Sequence, residues 1–320
     1  MRVLLLILLI FTSTKLYSSA DEPIVLPVNH WASQKLLIKI VGNKIEQLGY
    51  KVDYLPMNST LELGALRKGF IHFQVELWQS HDDGPFMKAV SKGYVEDMGL
   101  HRAIGREDWW YPSYVKELCP GLPKWQALKK CSAIFSRQGS GSKGVYFTGP
   151  WNYRDAELIR ALELNFTIER LDNAQQLWQE LRAAEKNIKP IILLNWQPNW
   201  VDVRIKGDFV EFPDFEKSCE QDPSWGVNKE MTFDCGNPKV TLIKKAAWPG
   251  LKNRWPCVYQ LLKKVNLTTE MIAEASALNS VDKNNEQQAI TAWLAKFSDQ
   301  SQDWLSFTCP KNVLGNPPLS

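Results

Sequence analysis

The sequence predicts an α/β protein built from two lobes, and three observations support this fold class. The chain has 320 residues, enough for about two domains of ordinary size. Hydrophobic residues make up 44% of the chain and charged residues 23%, as in a folded globular protein. Strand-like and helix-like segments alternate in two separate stretches. We expect two crossovers between a first lobe, residues 21–110 plus 213–320, and a second lobe, residues 111–212.

Residues 1–20 have the organisation of a signal peptide. Arg2 supplies a positive charge, Val3 to Phe11 form an unbroken apolar stretch, and Ser18 and Ala20 are the small residues before the predicted cut. The apolar stretch is shorter than the ~20 residues of a membrane-spanning helix. We therefore expect a cleaved signal peptide and an exported mature protein, either periplasmic or otherwise extracytoplasmic.

The N-terminal stretch alternates between the two hydrophobic periods. Gly49 follows the first helical pattern and Gly69 the second, as expected for residues that end helices. This alternation is typical of an α/β sheet with parallel strands. The predicted elements are a strand over 23–28, a helix over 36–48, a strand over 52–55, a helix from 61 to 69 and a strand over 70–77.

The rest of the chain continues this alternation and then becomes helical. Residues 216–238 form a polar, cysteine-bearing loop between two predicted strands. The predicted strands are 144–147, 168–171, 190–195, 209–212 and 240–244, and the predicted helices are 125–131, 154–164, 174–186, 257–265, 268–276 and 286–297.

The six cysteines all follow residue 118, and an even number in an exported chain indicates disulfides. Several pairings are open, and we favour pairing between sequence neighbours because the first two pairs would each close a short polar loop. There is no Cys-x-x-Cys motif and no histidine near a cysteine, so we expect no metal and no cofactor. The favoured pairs are Cys119–Cys131, Cys219–Cys235 and Cys257–Cys309.

The charge balance argues against a nucleic-acid partner. The formal net charge is only +3, too small for a broad field that would hold nucleic acid or an anionic membrane. The predicted strand ends also carry no pair of catalytic carboxylates, no Ser-His-Asp set and no phosphate-binding loop. We therefore expect a binding protein and not an enzyme.

The sequence contains fourteen tryptophans, and their positions are informative. Trp31, Trp78, Trp151 and Trp196 each follow or end a predicted strand, and ligands of α/β sheets bind beyond the carboxyl ends of strands. Trp109 lies on a predicted crossover between the lobes. A cage of indole faces attracts a diffuse cation such as a quaternary ammonium, at roughly 0.5–2 kcal/mol per ring.

Glu76 lies two residues before Trp78, and therefore on the same face of the strand. There it would meet either a cation or a protonated ligand oxygen, as choline or an amine oxide requires. The other interpretation is an outward-facing or salt-bridged carboxylate.

Several motifs resemble the glycine betaine, proline betaine and choline binding proteins of ABC importers. The segment from Lys189 to Val201 contains Trp196-Gln-Pro-Asn-Trp200 and resembles the Trp-x-Pro-x-Trp strand end of that family. The segment from Val75 to Asp82, which contains Trp78 and His81, resembles its other cage strand. Asn29-His-Trp31 and Asp108-Trp109-Trp110-Tyr111-Pro112 fit the same pattern, and the resemblance covers most of residues 24–265.

The resemblance implies a bilobed periplasmic-binding-protein fold that closes on its ligand about a hinge. His81 is carried over as a donor to a ligand carboxylate, and the backbone N–H groups of Asn152 and Tyr153 as further donors to the same anion. On the crossover the resemblance favours Trp109 over Trp110. The implied cage walls are Trp31, Trp78, Trp109, Trp151 and Trp196.

We therefore expect a monomeric extracytoplasmic receptor that delivers glycine betaine, or a related quaternary ammonium solute, to the permease and ATPase of an ABC importer. Choline receptors of this family carry acidic residues after the first tryptophan, whereas this chain has Trp31-Ala-Ser33, which favours glycine betaine over choline. Glu76 keeps a choline or trimethylamine N-oxide receptor open. A sensor-type binding module, or an exported hydrolase with tryptophan sugar platforms, are the remaining alternatives.

Overall fold

The fold is described by a computed structural model that covers residues 22–79, 84–151, 153–281 and 284–309. The predicted signal peptide, His81 and Asn152 lie outside these residues. The strands are β1 (Ile24–Val28), β2 (Val52–Pro56), β3 (Phe73–Gln79), β4 (Glu96–Pro112), β5 (Gly144–Thr148), β6 (Phe166–Arg170), β7 (Ile192–Gln197), β8 (Gly207–Phe209) and β9 (Thr241–Ala247).

Three of the described α-helices, α7, α11 and α12, begin at a polar side chain that caps them. Asn173, Thr268 and Asn285 each accept a hydrogen bond from the third backbone N–H that follows. The α-helices are α1 (Ala32–Gln47), α2 (Glu62–Lys68), α3 (Pro85–Ser91), α4 (Val115–Leu118), α5 (Gln126–Cys131), α6 (Asp155–Ala161), α7 (Ala174–Lys186), α8 (Val201–Arg204), α9 (Leu251–Arg254), α10 (Pro256–Lys264), α11 (Thr269–Ser280), α12 (Glu286–Lys296) and α13 (Ser298–Asp303).

The long strand β4 connects the two halves of the molecule. Its first part pairs antiparallel with β9, from Glu96 to Gly105, and its second part pairs antiparallel with β7, from Arg106 to Trp110. The resulting sheet has the order β3-β9-β4-β7-β5-β6, and β8 also pairs with β4. The sequence analysis predicted no strand over residues 96–112, because glycines and charged residues interrupt the alternation there.

The predicted parallel sheet at the N-terminus is only partly correct. β1 and β2 pair in parallel, but β3 pairs antiparallel with β9. β1 and β3 are joined through His72, whose backbone N–H donates to the carbonyl of Val25 at 2.8 Å. The Nδ1 atom of the same histidine accepts the N–H of Val25 at 2.9 Å. The imidazole ring therefore takes the place of a strand carbonyl between these two segments.

Two large hydrophobic cores lie on either side of the β4 midpoint. One core packs β5 and β7 against α6 and α7. The other packs β1 and β3 against α1 and the C-terminal helices α10, α11 and α12. Trp78 contacts both cores. Two separate cores favour the predicted division into lobes, whose residue boundaries stay a prediction.

All three predicted disulfides are present: Cys119–Cys131, Cys219–Cys235 and Cys257–Cys309. Each joins cysteines that are neighbours in the order of the chain, and the first two close loops of 12 and 16 residues. Within the part of the chain that the structure describes, none of the helices has the length and apolar character needed to cross a membrane.

Candidate functional site

A cavity of 740 Å³ lies where the two cores meet. Trp31, at the turn from β1 to α1, and Trp78, in β3, line it from the first lobe. Trp151, in the turn after β5, and Trp196, in β7, line it from the second. The structure thus brings together four of the five indoles that the sequence analysis assigned to a cage.

Glu76 lies at the centre of the first-lobe wall, and it is almost fully buried, with 1% exposure. One carboxylate oxygen, Oε1, accepts hydrogen bonds from Nε1 of Trp31 at 2.8 Å and Nε1 of Trp78 at 3.0 Å. The hydroxyl of Ser33 donates to the same oxygen at 3.0 Å. This single oxygen therefore fixes the orientation of both first-lobe indoles. The expectation of an outward-facing or salt-bridged Glu76 is not met.

The other carboxylate oxygen of Glu76, Oε2, is buried and has no hydrogen-bond partner among the described residues. A buried polar atom without a partner costs about 1–3 kcal/mol. Burial raises the pKa of Glu76 to about 7, although its three donors oppose that rise. Near neutral pH this carboxyl can therefore hold a proton or lose it, and Glu76 lines the cavity with one oxygen still without a partner among the described residues.

Two glycines allow the indoles to lie close to the backbone. A Cβ atom at Gly105 in β4 would collide with the ring of Trp78, and one at Gly149 would collide with the ring of Trp151. Any larger residue at either position would push the indole out of place. These glycines are therefore part of the cage even though they contribute no side chain.

The second-lobe indoles form a packed cluster. The rings of Trp151 and Trp196 meet edge to face, with centroids 5.2 Å apart and planes at 72°. Trp178 supports Trp196 from α7 at 4.9 Å. Such pairs add about 0.5–1.5 kcal/mol beyond their buried area, so the orientation of Trp196 is well defined. Trp178 is itself buried in the same core, with 4% exposure.

Polar side chains that the sequence analysis did not assign also line the cavity, and for Tyr153 it had assigned only the backbone N–H. The hydroxyl of Tyr153 donates to the carboxylate of Glu107, and burial raises the pKa of Glu107 to about 7. Asp155, at the start of α6, is buried, and burial raises its pKa to about 6. One signal was available for Tyr153 and Asp155, since both follow the end of β5. Glu107 had none, because β4 was not predicted.

Trp109 differs from its expected position. It is fully buried in the second core, where its ring stacks on Tyr146 with centroids 3.9 Å apart. Phe166 and Phe212 pack against its edges. Its indole N–H donates to Oδ1 of Asp155 at 2.8 Å, so Trp109 acts on the cavity only through that carboxylate. The prediction that Trp109 forms a wall is corrected: surrounding aromatic rings enclose it.

The cavity is acidic. Five carboxylate side chains line it, and Arg154 is the one cationic side chain among the described lining residues. Arg154 is largely exposed and lies 3.6 Å from the carboxylate of Glu157. Of the groups expected to bind a ligand carboxylate, His81 and Asn152 lie outside the described residues, and Tyr153 lines the cavity. The lining carboxylates are Glu62, Glu76, Glu107, Asp155 and Glu220.

This arrangement fits a compact cation with apolar substituents. Indole faces attract a diffuse positive charge without any hydrogen bond, and the buried carboxylates add attraction in a site of low dielectric. A polar atom on the same ligand can pair with the free oxygen of Glu76.

Comparisons with known proteins agree with this geometry. Residues 22–296 match the family model of the substrate-binding domain of ABC-type glycine betaine transport systems. A trimethylamine N-oxide-binding protein of Pelagibacter ubique (strain HTCC1062) is 33% identical over 300 residues, which are 91% of this chain and 92% of that protein.

Solved structures share the fold at low identity. An ABC-transporter choline binding protein in complex with choline has a TM-score of 0.68 at 17% identity, over 91% of this chain and 94% of that chain. Lactococcal OpuAC, in its closed conformation with glycine betaine bound, has a TM-score of 0.64 at 16% identity, over 89% of this chain and 100% of that chain. With its four cavity-lining indoles and this family match, the chain belongs to the substrate-binding domains of ABC-type glycine betaine transport systems.

Proposed function

We propose that the protein is an extracytoplasmic receptor for a small trimethylammonium solute that has no carboxylate of its own, with trimethylamine N-oxide as the first candidate. The observation that carries this proposal is Glu76. Its buried carboxyl lies among the cage indoles with one oxygen fully engaged and the other without a partner.

The amine oxide fits both parts of this site. Its methyl groups and its positive nitrogen meet the indole faces, and each ring contributes roughly 0.5–2 kcal/mol. Its oxygen is a strong acceptor that can share one proton with Oε2 of Glu76. Because burial raises the pKa of Glu76 to about 7, that proton is available at neutral pH.

The charge of the cavity argues against a ligand carboxylate. Where Glu76 and Glu107 are ionised, above about pH 7, the carboxylate of glycine betaine would add a third negative charge to theirs, and Arg154 is the one cationic side chain among the described lining residues. Like charges in a buried site repel strongly. The earlier preference for glycine betaine over choline rested on the stretch after Trp31, which lacks a carboxylate. Glu76 supplies that carboxylate from β3 instead.

The similarity to the trimethylamine N-oxide-binding protein of Pelagibacter ubique supports the same ligand. Choline is the second candidate, favoured by the acidic lining residues Glu76 and Glu107, which can balance its permanent charge when they are ionised. The two ligands differ in the protonation state of Glu76 that they require. The amine oxide needs the protonated carboxyl as a donor, whereas choline needs the carboxylate.

Calorimetric titration of the mature protein with trimethylamine N-oxide, choline and glycine betaine at about pH 6 and pH 8 tests this proposal. We expect trimethylamine N-oxide to bind most tightly. Its affinity should fall from pH 6 to pH 8 as Glu76 loses its proton, and choline affinity should rise. Tighter binding of glycine betaine than of trimethylamine N-oxide at both pH values would overturn the proposal.

We also propose that the protein acts as a monomer that hands its ligand, chemically unchanged, to the permease and ATPase of an ABC importer outside the cytoplasm. The resemblance of residues 1–20 to a signal peptide supports export. The proton NMR spectrum of trimethylamine N-oxide after prolonged incubation with the protein should be unchanged. Any new methyl resonance would indicate an enzyme.

A further inference from the structure

The segment between β8 and β9, residues 213–238, is here called the disulfide loop because it contains Cys219–Cys235. The cage indoles alone do not enclose the cavity, since this loop also contributes to its lining. Its lining residues are Phe215, Glu220, Phe233, Cys235, Gly236, Asn237 and Pro238.

The loop is anchored at several points. The Nδ2 group of Asn228 donates to the carbonyl of Ala161, at the end of α6, at 2.8 Å. The backbone N–H of Asn237 hydrogen-bonds the buried carboxyl of Asp108 in β4. The disulfide closes the loop upon itself, and the backbone N–H of Asn228 donates to the carboxylate of Asp234 at 2.6 Å. A surface connection would not need so many fixed points.

Phe233 has a strained backbone inside this loop. Its φ is +63°, in the left-handed region that bulky residues rarely adopt. The other two described non-glycine residues with positive φ, Glu163 and Ile188, directly follow the last turns of α6 and α7, where a left-handed residue commonly ends a helix. Phe233 has no such role. Its conformation is held by its N–H, which donates to the carbonyl of Cys219 at 2.8 Å.

Strain of this kind persists only where the surrounding structure imposes it, and it is concentrated at ligand clamps. Here Phe233 lines the cavity, and the guanidinium of Arg154, another lining residue, lies 5.1 Å from the centroid of its ring. Arg154 is adjacent in sequence to Tyr153, whose hydroxyl donates to the carboxylate of Glu107. The ring is therefore close to the segment before α6 that carries the polar end of the cavity.

We propose that the disulfide loop is a third wall of the ligand cavity and that Phe233 is its ligand-enclosing, specificity-determining side chain. This inference rests on the proposed function, since it concerns the same trimethylammonium site. Phe233 adds an aromatic face to the four indoles, and the disulfide holds that face in position when the lobes close.

The test compares substitutions that separate a binding role from a structural one. Phe233→Gly removes the ring and also relieves the strain, because glycine adopts positive φ without steric cost. We expect about three- to thirty-fold weaker trimethylamine N-oxide binding by calorimetry. The melting temperature of the unliganded variant should be no lower than that of the wild type. Trp225→Ala is the matched control, because Trp225 is an exposed aromatic of the same loop outside the cavity lining.

A second pair of variants tests the disulfide. Removing Cys219–Cys235 by double alanine substitution should weaken binding more than removing Cys119–Cys131, which closes a loop of similar length away from the cavity. Unchanged affinity in Phe233→Gly, or equal effects of the two disulfide variants, would overturn the proposal that the disulfide loop is a third wall of the cavity. A wild-type protein that binds none of the three solutes would overturn the proposed function as well.

Discussion

The indole nitrogen of Trp31 lies 2.8 Å from Oε1 of Glu76, and 45 residues separate them in the chain. The same oxygen accepts the indole N–H of Trp78. A carboxylate that binds two cage indoles from behind fixes their faces toward the cavity before any ligand arrives. Preorganisation of this kind reduces the entropy lost on binding. One oxygen of Glu76 thus positions the cage, and the second role, pairing of Oε2 with the ligand, is the one that we propose.

Glu76→Gln should separate these two roles. The glutamine carbonyl can still accept the N–H groups of Trp31 and Trp78, so the cage should remain intact. The amide NH₂ can donate to an amine oxide at any pH. We expect trimethylamine N-oxide binding to persist and its dependence on pH between about 6 and 8 to disappear, as measured by calorimetry. Glu76→Leu is the control that removes both roles. A pH dependence that survives in Glu76→Gln would show that another group controls it.

The same substitution should stabilise the unliganded protein at high pH. Burial raises the pKa of Glu76 from 4.5 to about 7, so between these values the folded protein holds a proton that the unfolded chain has released. Ionisation of Glu76 therefore lowers the free energy of unfolding progressively as pH rises, and this decrease is complete above about pH 7. The difference in unfolding free energy between Glu76→Gln and the wild type should be near zero at pH 4.5.

At about pH 8 that difference should reach the order of 2–3 kcal/mol in favour of the variant. Urea unfolding of both proteins at each pH measures it. Taking the difference between the two proteins cancels the contributions of groups that the substitution leaves unchanged. His72 is one of them: burial lowers its pKa to about 4, so its contribution to the unfolding free energy rises with pH, opposite to that of Glu76. A variant that is less stable than the wild type at pH 8 would contradict the assigned cause.

Trp196→Ala should weaken ligand binding by about 1–2 kcal/mol or more. Trp196 lies between Trp151 and Trp178, so its removal both deletes one face and frees its neighbours. Trp196→Phe retains an aromatic face and should recover part of the lost affinity. Calorimetry of the two variants with the same ligand is the measurement. Equal affinities of the alanine and phenylalanine variants would exclude a role for the ring.

Gly105→Ala should weaken binding although the new methyl group does not itself bind ligand. The added Cβ would collide with the ring of Trp78 and force it away from Glu76. Gly64→Ala in α2 is the control, because nothing lies within 4 Å of a Cβ there. That control should leave affinity unchanged and stabilise the helix by roughly 0.5–1 kcal/mol. Equal affinities of the two variants and the wild type, from parallel titrations, would contradict the close packing of Trp78.

The sequence by itself determined the features that depend on local pattern. The alternation of hydrophobic periods predicted the α/β class and most helices, including Ala174–Lys186. Tryptophans at strand ends predicted four of the cavity walls, because strand ends in an α/β sheet meet along one edge. The sequence also predicted the disulfide partners, which are neighbours in chain order. The signal peptide and the roles of His81 and Asn152 stay predictions.

The tertiary structure alone decided which polar groups line the cavity. Strand alternation placed Glu76 on the face of Trp78, but its burial and its bond to Trp31 depend on packing between segments far apart in sequence. Glu107 was hidden because β4 has no clean alternation, and this long strand pairs with β9 along its first part and with β7 along its second. Trp109 looked like a cage residue by motif, yet Tyr146 and its neighbours enclose it. Burial is a property of the whole fold, so the short motif around Trp109 could not distinguish a core ring from a cavity wall.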